Sequence, residues 1–182
     1  MRIDCGAFEI RSYRAEDTAA LVEQANNSRV AETLRDRFPF PYTEQDAEKW
    51  LAIVLRQAPE TNFAIAVDGH LVGTIGLRLG EDIYRQSAEI GYWLGEEYWS
   101  RGITTQAVRA VTEWGFRTFG LLRIQAFVFE VNRASARVLE KAGYRLEARM
   151  DRAVVKNGRV MDQLIFARLA PFEDEEEVAL DR

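Results

Sequence analysis

The feature that most constrains this chain is a change of hydrophobic period at Gly102. Residues 88 to 94 alternate between two faces, with Glu89 and Trp93 on one face and mainly apolar residues on the other, which predicts a β-strand. Beyond Gly102 the apolar residues recur at helical spacing, and Gly120 predicts where the helix ends. One helical face would carry Ile103, Ala107, Ala110 and Trp114. The sequence therefore predicts a strand, a glycine-containing loop and a long helix in succession.

The junction between this strand and this helix has the chemistry of a phosphate site. Roughly four N–H groups in the first turn of a helix lack intrahelical acceptors, and the helix dipole favours negative charge at that end. Gly102 allows the backbone to approach a ligand closely, and Thr104 or Thr105 can donate a hydroxyl hydrogen bond. The loop alone is equally compatible with a purely structural turn. It has neither a Walker A sequence nor the glycine spacing of a dinucleotide-binding loop, which argues against a nucleoside triphosphatase.

Helices and strands alternate irregularly in the rest of the chain. The segment Thr43 to Asp46 has capping-box spacing and predicts a helix start, and Asn132 to Gly143 has the cap and the stop of a second helix. Asp68-Gly69 and Asn157-Gly158 predict tight β-hairpins. Further strands are predicted over 8–11, 62–67, 71–79, 122–130, 144–155 and 160–169, and a further helix over 14–25. This order favours an α+β fold built on a mixed sheet.

The composition is typical of a globular protein. The chain has 182 residues, of which 47% are hydrophobic and 29% charged, and this suits one domain. The only cysteine is Cys5 and the only histidine is His70, so neither a disulfide nor a metal site is expected. No apolar run is long enough to cross a membrane, and the N-terminus lacks the apolar stretch of a signal peptide. We therefore expect a cytoplasmic location and no membrane partner.

The net charge of −5 is concentrated at the C-terminus. Residues 171–182 contain six acids and one base, whereas the rest of the chain contains 23 of each. We interpret residues 171–182 as a solvated acidic tail that follows a single domain at 1–170. A formally neutral domain with an acidic tail gives no support for nucleic-acid binding.

Four stretches of the sequence together resemble one protein family. They are residues 38–50, the strand 89–94, the Gly102 loop, and residues 132–144 with Asn132, Ser135, Gly143 and Tyr144. In this order, between residues 8 and 169, they resemble the GNAT superfamily of N-acetyltransferases. The resemblance is to the branch that includes the ribosomal-protein N-terminal alanine and serine acetyltransferases. Each stretch alone is modest, and their combination is specific.

The resemblance implies a mixed, mostly antiparallel central sheet with helices on both faces and a splayed strand pair that holds acetyl-CoA as cosubstrate. Backbone groups of Tyr92, Trp93 and Leu94 would pair with the pantetheine arm. Asn132 would contact the same arm, and Ser135 would lie near the sulfur. The amides that would bind the pyrophosphate belong to Arg101, Gly102, Ile103, Thr104 and Thr105.

The loop departs from the family pattern at three positions. Glu97 stands where the family usually has Gln or Arg, and Ser100 and Thr104 stand where it has other small residues. Main-chain N–H groups would bind the pyrophosphate, so Ser100 and Thr104 weaken the resemblance little. Glu97 removes a cation, which Arg101 could replace.

Acetyl transfer to an amine needs a neutral amine and a stabilised leaving thiolate. An α-amino group has a pKa of about 7.7–8.0 and a lysine about 10.4, so an N-terminal amine needs only a modest base. Glu89 is the predicted base on the substrate side; the alternative is a strand glutamate paired with an arginine. Ser135 is the predicted hydroxyl donor to the sulfur, and the alternative is a helix-start serine with no chemical role. In other branches of the superfamily a tyrosine at the position of Tyr144 supplies this hydroxyl. In this chain Tyr144 directly follows Gly143, which predicts a core aromatic.

The predicted function is transfer of an acetyl group from acetyl-CoA to a primary amine, either a protein N-terminus or a small-molecule amine. A backbone N–H near residues 92 to 94 would polarise the carbonyl. The alternative is a noncatalytic acyl-CoA-binding sensor or interaction module. In the family, variable segments, here 29–42 and 156–160, build the acceptor side, so the acceptor is not predicted. Assembly as a homodimer is left open.

Overall fold

A computed structural model describes residues 1–171, so the predicted acidic tail lies outside the described residues except for Pro171. The strands are β1 (Arg2–Asp4), β2 (Glu9–Arg11), β3 (Asn62–Val67), β4 (His70–Leu79), β5 (Ser87–Leu94), β6 (Arg123–Phe129), β7 (Arg145–Lys156) and β8 (Arg159–Leu169). The helices are α1 (Thr18–Ala25), α2 (Ser28–Ala31), α3 (Glu44–Val54), α4 (Ile103–Phe119) and α5 (Arg133–Lys141). None of the helices in this part of the chain is long and apolar enough to span a membrane.

The eight strands form one sheet in the order β1-β2-β3-β4-β5-β6-β8-β7. Neighbouring strands pair antiparallel everywhere except between β5 and β6, which are parallel. The two tight hairpins, β3–β4 and β7–β8, follow the predicted Asp-Gly and Asn-Gly turns. This arrangement confirms the α+β class and the mixed, mostly antiparallel sheet.

The central parallel pair separates soon after it forms. Ser87 to Glu89 pair with Arg123 to Gln125, and no pairing between the two strands follows, although β5 continues to Leu94 and β6 to Phe129. On its other edge, β5 stays paired with β4 along its whole length. A wedge therefore opens between β5 and β6 beyond Glu89, as the predicted splay requires.

Helices cover both faces of the sheet. One core cluster joins α4 and α5 to the sheet and contains Val108, Leu139 and Ile90. The second cluster joins α1 and α3 to the opposite face and contains Leu21 and Leu51. The side chains of β5 divide as the alternation predicts. Ala88, Ile90, Tyr92 and Leu94 belong to the first cluster, and Trp93 packs against the second.

Local sequence explains the ends of the long helices. At the start of α3, the Thr43 hydroxyl accepts a hydrogen bond from the Asp46 N–H at 3.3 Å, and the Asp46 carboxylate accepts from the Thr43 N–H at 3.0 Å. Helix α4 begins after Gly102, which has φ +80°, and ends at Gly120, which has φ +59°. Both glycines occupy the left-handed region, where a side chain would add strain.

Three local elements differ from the sequence prediction. The short strand β1 and the four-residue helix α2 were not predicted. The helix predicted over 14–25 is regular only from Thr18, after a 3-10 turn over Ala15–Asp17. The buried Asp17 carboxylate accepts two hydrogen bonds from Arg11 and one from the Arg14 N–H, and these contacts hold the tighter turn in place.

Candidate active site

A cleft of about 1130 Å³ runs through the wedge and under the segment between α2 and α3. We call its two parts the wedge half and the loop half. The wedge half is lined by Tyr92, Leu94, Thr104, Ala126, Phe127, Val128, Phe129, Asn132, Ser135 and Val138. The loop half is lined by Arg29, Glu32, Arg35, Arg37, Phe38, Tyr42, Asp46, Lys49, Trp50, Arg78 and Trp93. Glu89 also lines the cleft, at the point where the two strands part.

The edge of β5 that faces the wedge has backbone groups without a strand partner. Strand β6 leaves β5 after Glu89, so the following residues can pair with an extended ligand along this edge. The Leu94 carbonyl is an exception, because it accepts a hydrogen bond from the indole N–H of Trp99 at 2.8 Å. Gly91 lines the cleft, and a Cβ at this position would meet nothing within 4 Å. The cleft is therefore open above the middle of β5, on the face that carries Glu89 and Trp93.

The N-terminus of α4 borders the wedge half. No side chain in the described part of the chain caps this helix, so N–H groups of its first turn remain available to an anion. Ile103 is buried in the core and anchors the turn, whereas Thr104 lines the cleft. Arg101 is exposed; it donates to the Glu97 carbonyl at 2.7 Å, and its guanidinium lies 5.1 Å from the centre of the Tyr98 ring.

Two hydroxyl groups meet in the wedge half. The Tyr92 hydroxyl lies 2.8 Å from the Ser135 Oγ, within hydrogen-bond distance. Burial raises the pKa of the Tyr92 phenol well above its usual value, and the Ser135 hydrogen bond offsets only part of this rise. The phenol is therefore protonated at neutral pH. It can donate to the Ser135 oxygen and leave the Ser135 proton free for a further acceptor.

Asn132 positions the turn that carries Ser135. Its side-chain oxygen accepts a hydrogen bond from the Ser135 N–H at 3.0 Å, which caps helix α5. The amide NH₂ of Asn132 is a separate donor group on the wall of the cleft. One side chain can thus cap the helix and contact a ligand in the wedge.

Glu89 forms ion pairs with two arginines. Its carboxylate accepts hydrogen bonds from Arg35, in the segment between α2 and α3, and from Arg78, which is directly opposite on β4. The Glu89 side chain is 14% exposed. The arginine pairing foreseen as the alternative interpretation is therefore present. Each carboxylate oxygen can still accept a second hydrogen bond, from water or an amine.

Aromatic side chains line the loop half. The Phe38 ring packs against Trp93 and Tyr42, with centroid distances of 5.7 and 5.3 Å. The Trp50 ring packs edge-on against the buried Tyr13 at 6.2 Å. Burial raises the pKa of Tyr42 to about 12, so its hydroxyl is also protonated at neutral pH. The loop half thus offers flat apolar surfaces next to a set of charged groups.

The structure gathers most of the predicted site residues on one cleft. Glu89, Tyr92, Trp93, Leu94, Thr104, Asn132 and Ser135 lie on its wall, and Arg101, Gly102, Ile103 and Thr105 lie in the adjacent loop and first helical turn. Tyr144 does not reach the cleft wall; its hydroxyl lies 2.7 Å from Thr112 Oγ1 in the core. Sequence analysis missed the side-chain contact of Tyr92 and the roles of Arg35 and Arg78. Only Arg78 had a usable indication, its place in a strand next to that of Glu89.

Two parallel central strands part around a cleft next to an uncapped helix N-terminus, as the resemblance to the N-acetyltransferase superfamily implies. A model of the acetyltransferase (GNAT) domain matches residues 8–145. The chain belongs to the GNAT family of acetyltransferases, which confirms the family and the class of enzyme predicted from the sequence.

Relatives and solved structures agree with this assignment. The probable N-acetyltransferase YjcK of Bacillus subtilis is 39% identical over 123 residues, 66% of this chain and 68% of that protein. The uncharacterized N-acetyltransferase YoaA of the same organism is 36% identical over 103 residues, and the match spans 57% of this chain and only 58% of that protein. A GNAT-family acetyltransferase structure from Bacillus anthracis superposes with a TM-score of 0.80 at 26% identity, over 93% of this chain and 98% of that one. The ribosomal L7/L12 α-N-protein acetyltransferase RimL, solved with coenzyme A, shares the fold with a TM-score of 0.83 at 23% identity, over 93% and 98%.

Proposed function

We propose that this protein transfers the acetyl group of acetyl-CoA to a primary amine, which is a protein N-terminus or the amine of a small molecule. The observation that carries the proposal is the hydrogen-bonded pair of Tyr92 and Ser135 inside the open wedge. Acetyl-CoA supplies an activated acyl group and a thiol leaving group. The remaining chemistry is binding, orientation and proton transfer by side chains and backbone of this chain.

Two features of the chain fit the cofactor. The wedge edge of β5 offers the backbone N–H and carbonyl of Tyr92 and the N–H of Leu94 to the pantetheine amides, as an added strand would use them, whereas the backbone groups of Trp93 face Thr74 on β4. The N–H groups from Arg101 to Thr105 and the positive end of the α4 dipole suit the pyrophosphate. Asn132 can donate to the pantetheine arm from the opposite wall. These contacts support acetyl-CoA as the cosubstrate.

In this proposal the Ser135 hydroxyl donates a hydrogen bond to the departing sulfur, keeps its own proton and stabilises the thiolate, which afterwards takes a proton from solvent. An ordinary thiol has a pKa of about 8.5, so the thiolate needs only modest stabilisation at neutral pH. The Tyr92 hydroxyl donates to the Ser135 oxygen and orients the Ser135 proton toward the wedge. A hydrogen-bond donor positioned at the atom where negative charge develops contributes roughly 10²-fold or more to the rate. A backbone N–H of β5 that faces the wedge, that of Tyr92 or Leu94, polarises the acetyl carbonyl.

The proposed role of Glu89 is to accept the proton of the amine, directly or through one water. The two arginines hold its carboxylate at the foot of the wedge and leave one acceptor position on each oxygen. An α-amine with a pKa near 8 is partly neutral at pH 7, so a weak base is sufficient. This favours an α-amine over a lysine side chain as the acceptor.

Substitution of Ser135 by alanine tests the proposal. We expect kcat to fall about 100-fold while the dissociation constant for acetyl-CoA stays within about twofold. Turnover would be followed as amine-dependent thiol release, and binding by calorimetry. Ser28→Ala is the matched control, since Ser28 is exposed on α2 and outside the cleft lining. Acetyl-CoA binding without amine-dependent thiol release from the wild-type protein would instead support a noncatalytic binding module.

A further inference from the structure

The charged groups of the cleft are concentrated in the loop half and are mainly positive. Five bases line the cleft, Arg29, Arg35, Arg37, Lys49 and Arg78, against three acids, Glu32, Asp46 and Glu89. Residues 1–170 are formally neutral as a whole, so the cleft is more positive than the rest of this domain. A concave surface of one sign concentrates ligands of the opposite sign.

The acids of the cleft wall are largely engaged by other groups. Glu89 is held between Arg35 and Arg78, and Asp46 is held in the capping box of Thr43. Among the lining residues, only Glu32 has a carboxylate without a hydrogen bond or an ion pair to another described residue. A polyamine would need several free carboxylates, and this wall does not supply them.

The arginines, in contrast, retain donors that point to no described partner. Arg35 and Arg78 each use one guanidinium nitrogen on Glu89, and their side chains are 41% and 66% exposed. A guanidinium has about five N–H donors and binds carboxylates and phosphates with two of them at once. Arg37 lines the same half and makes no ion pair within residues 1–171. Arg35 and Arg78 together carry two positive charges and Glu89 carries one negative charge, so a net positive charge remains beside the predicted base.

We infer that the acceptor is an amine that carries a carboxylate or phosphate close to the amino group, and that Arg35 and Arg78 bind this anion. The inference rests on the proposed acetyl transfer, because Glu89 is the common partner of both arginines and the predicted base for the amine. The rings of Phe38 and Trp93 face the same half and suit an apolar or planar remainder of the acceptor. The anion can belong to an acidic residue next to a protein N-terminus or to a small molecule.

Matched acceptors test the inference and separate these two sources. One set is three C-terminally amidated peptides that begin Ser-Asp, Ser-Ala and Ser-Lys and are otherwise identical. The other is O-phosphoethanolamine, ethanolamine and spermidine. One partly exposed charge contact changes kcat/KM by about fivefold. The arginines would attract the Asp of the first peptide and repel the Lys of the last, so kcat/KM should differ by about 25-fold between the Ser-Asp and Ser-Lys peptides.

The expected result is faster thiol release with the anionic member of at least one set. Preference within the peptides alone identifies an acidic N-terminus, and preference within the small amines alone identifies a small acceptor. Equal rates across both sets, or the highest rate with spermidine or the Ser-Lys peptide, would overturn the inference and leave acetyl transfer intact. No amine-dependent thiol release with any acceptor would contradict the proposed function, and the inference with it.

A single substitution tests whether Arg78 causes the preference for anionic acceptors. Arg78→Gln should reduce the preference for the anionic acceptor about fivefold, mainly through KM, while acetyl-CoA binding is unchanged. Arg85→Gln is the control, because Arg85 is exposed before β5 and outside the cleft lining. Equal acceptor preferences in the wild-type protein and in Arg78→Gln would exclude Arg78 as the anion-binding group. A melting temperature measured for each variant shows that both proteins are folded.

Discussion

Removal of the Tyr92 hydroxyl by Tyr92→Phe tests the proposed role of the Ser135 hydroxyl most sharply. The substitution keeps the ring and deletes one hydrogen bond of 2.8 Å to Ser135. Such a bond is worth about 1 kcal/mol net. If the bond orients the Ser135 proton in the transition state, its loss lowers kcat about fivefold. We expect acetyl-CoA affinity to be unchanged, because the predicted contacts of Tyr92 with the cofactor are made by its backbone.

A double-mutant cycle distinguishes this role from a general loss of packing. In a Ser135→Ala background the Tyr92 hydroxyl has nothing to orient, so Tyr92→Phe should change kcat by less than about twofold. Thiol-release kinetics on the four proteins measure this coupling. A full fivefold effect of Tyr92→Phe in the absence of Ser135 would refute the reasoning.

Tyr144→Phe is the matched control for this prediction. It deletes a comparable hydrogen bond of 2.7 Å, but to Thr112, which is fully buried and does not line the cleft. The orphaned Thr112 hydroxyl should cost about 1–3 kcal/mol of folding free energy. Ser135 is only partly buried and can bond to water instead, so Tyr144→Phe should lose more stability and less activity than Tyr92→Phe. The opposite order would make Tyr144 the functional hydroxyl, as in other branches of the superfamily.

Three further substitutions probe the cleft beside Glu89, the loop and the fold separately. Gly91→Val projects a side chain into open cleft space, so it should lower turnover with little change in melting temperature; a wild-type rate would mean that no ligand passes beside Gly91. Gly102→Ala keeps a φ of +80° that costs an alanine about 1 kcal/mol, and it should weaken acetyl-CoA binding in calorimetry, whereas unaltered affinity would contradict the placement of the pyrophosphate. Arg11→Ala leaves the buried Asp17 carboxylate unpaired, so denaturant unfolding should show a loss of about 3–5 kcal/mol with kcat intact under folding conditions; a loss below 1 kcal/mol would show that water replaces the guanidinium.

Local sequence patterns predicted the elements that are stabilised by residues close to them in the sequence. The capping box of Thr43, the glycines that bound α4 and the two tight hairpins each depend on neighbouring residues, and all are present. Strand β1 is different, because it has only three residues, pairs with the equally short β2, and is preceded by a residue that contacts Glu60 far along the chain. The amino group of Met1 donates to Ser12 Oγ at 2.6 Å and to Glu60 at 3.1 Å. No residue pattern near the N-terminus contains that information.

The sequence predicted those parts of the site that depend on local patterns and missed those that depend on distant contacts. The alternation of β5 correctly divided its side chains between the two faces, because a period of two depends only on the strand itself. The contact between Glu89 and Arg35 joins residues 54 positions apart. Arg35 lies between α2 and α3, in a segment whose sequence has no regular hydrophobic pattern. The point at which β6 leaves β5 is likewise a property of the sheet, since the apolar pattern of both strands continues past it. The family resemblance predicted the wedge, and the residues alone did not.

Mass spectrometry of the acceptors after incubation with the wild-type protein and acetyl-CoA tests the central claim most directly. Fragmentation identifies the acetylated nitrogen, and the released thiol is counted in the same samples. Acetyl transfer predicts one acetyl group on a primary amine for each thiol released. Saturable binding of acetyl-CoA with no acetylated amine on any acceptor in the panel would contradict it.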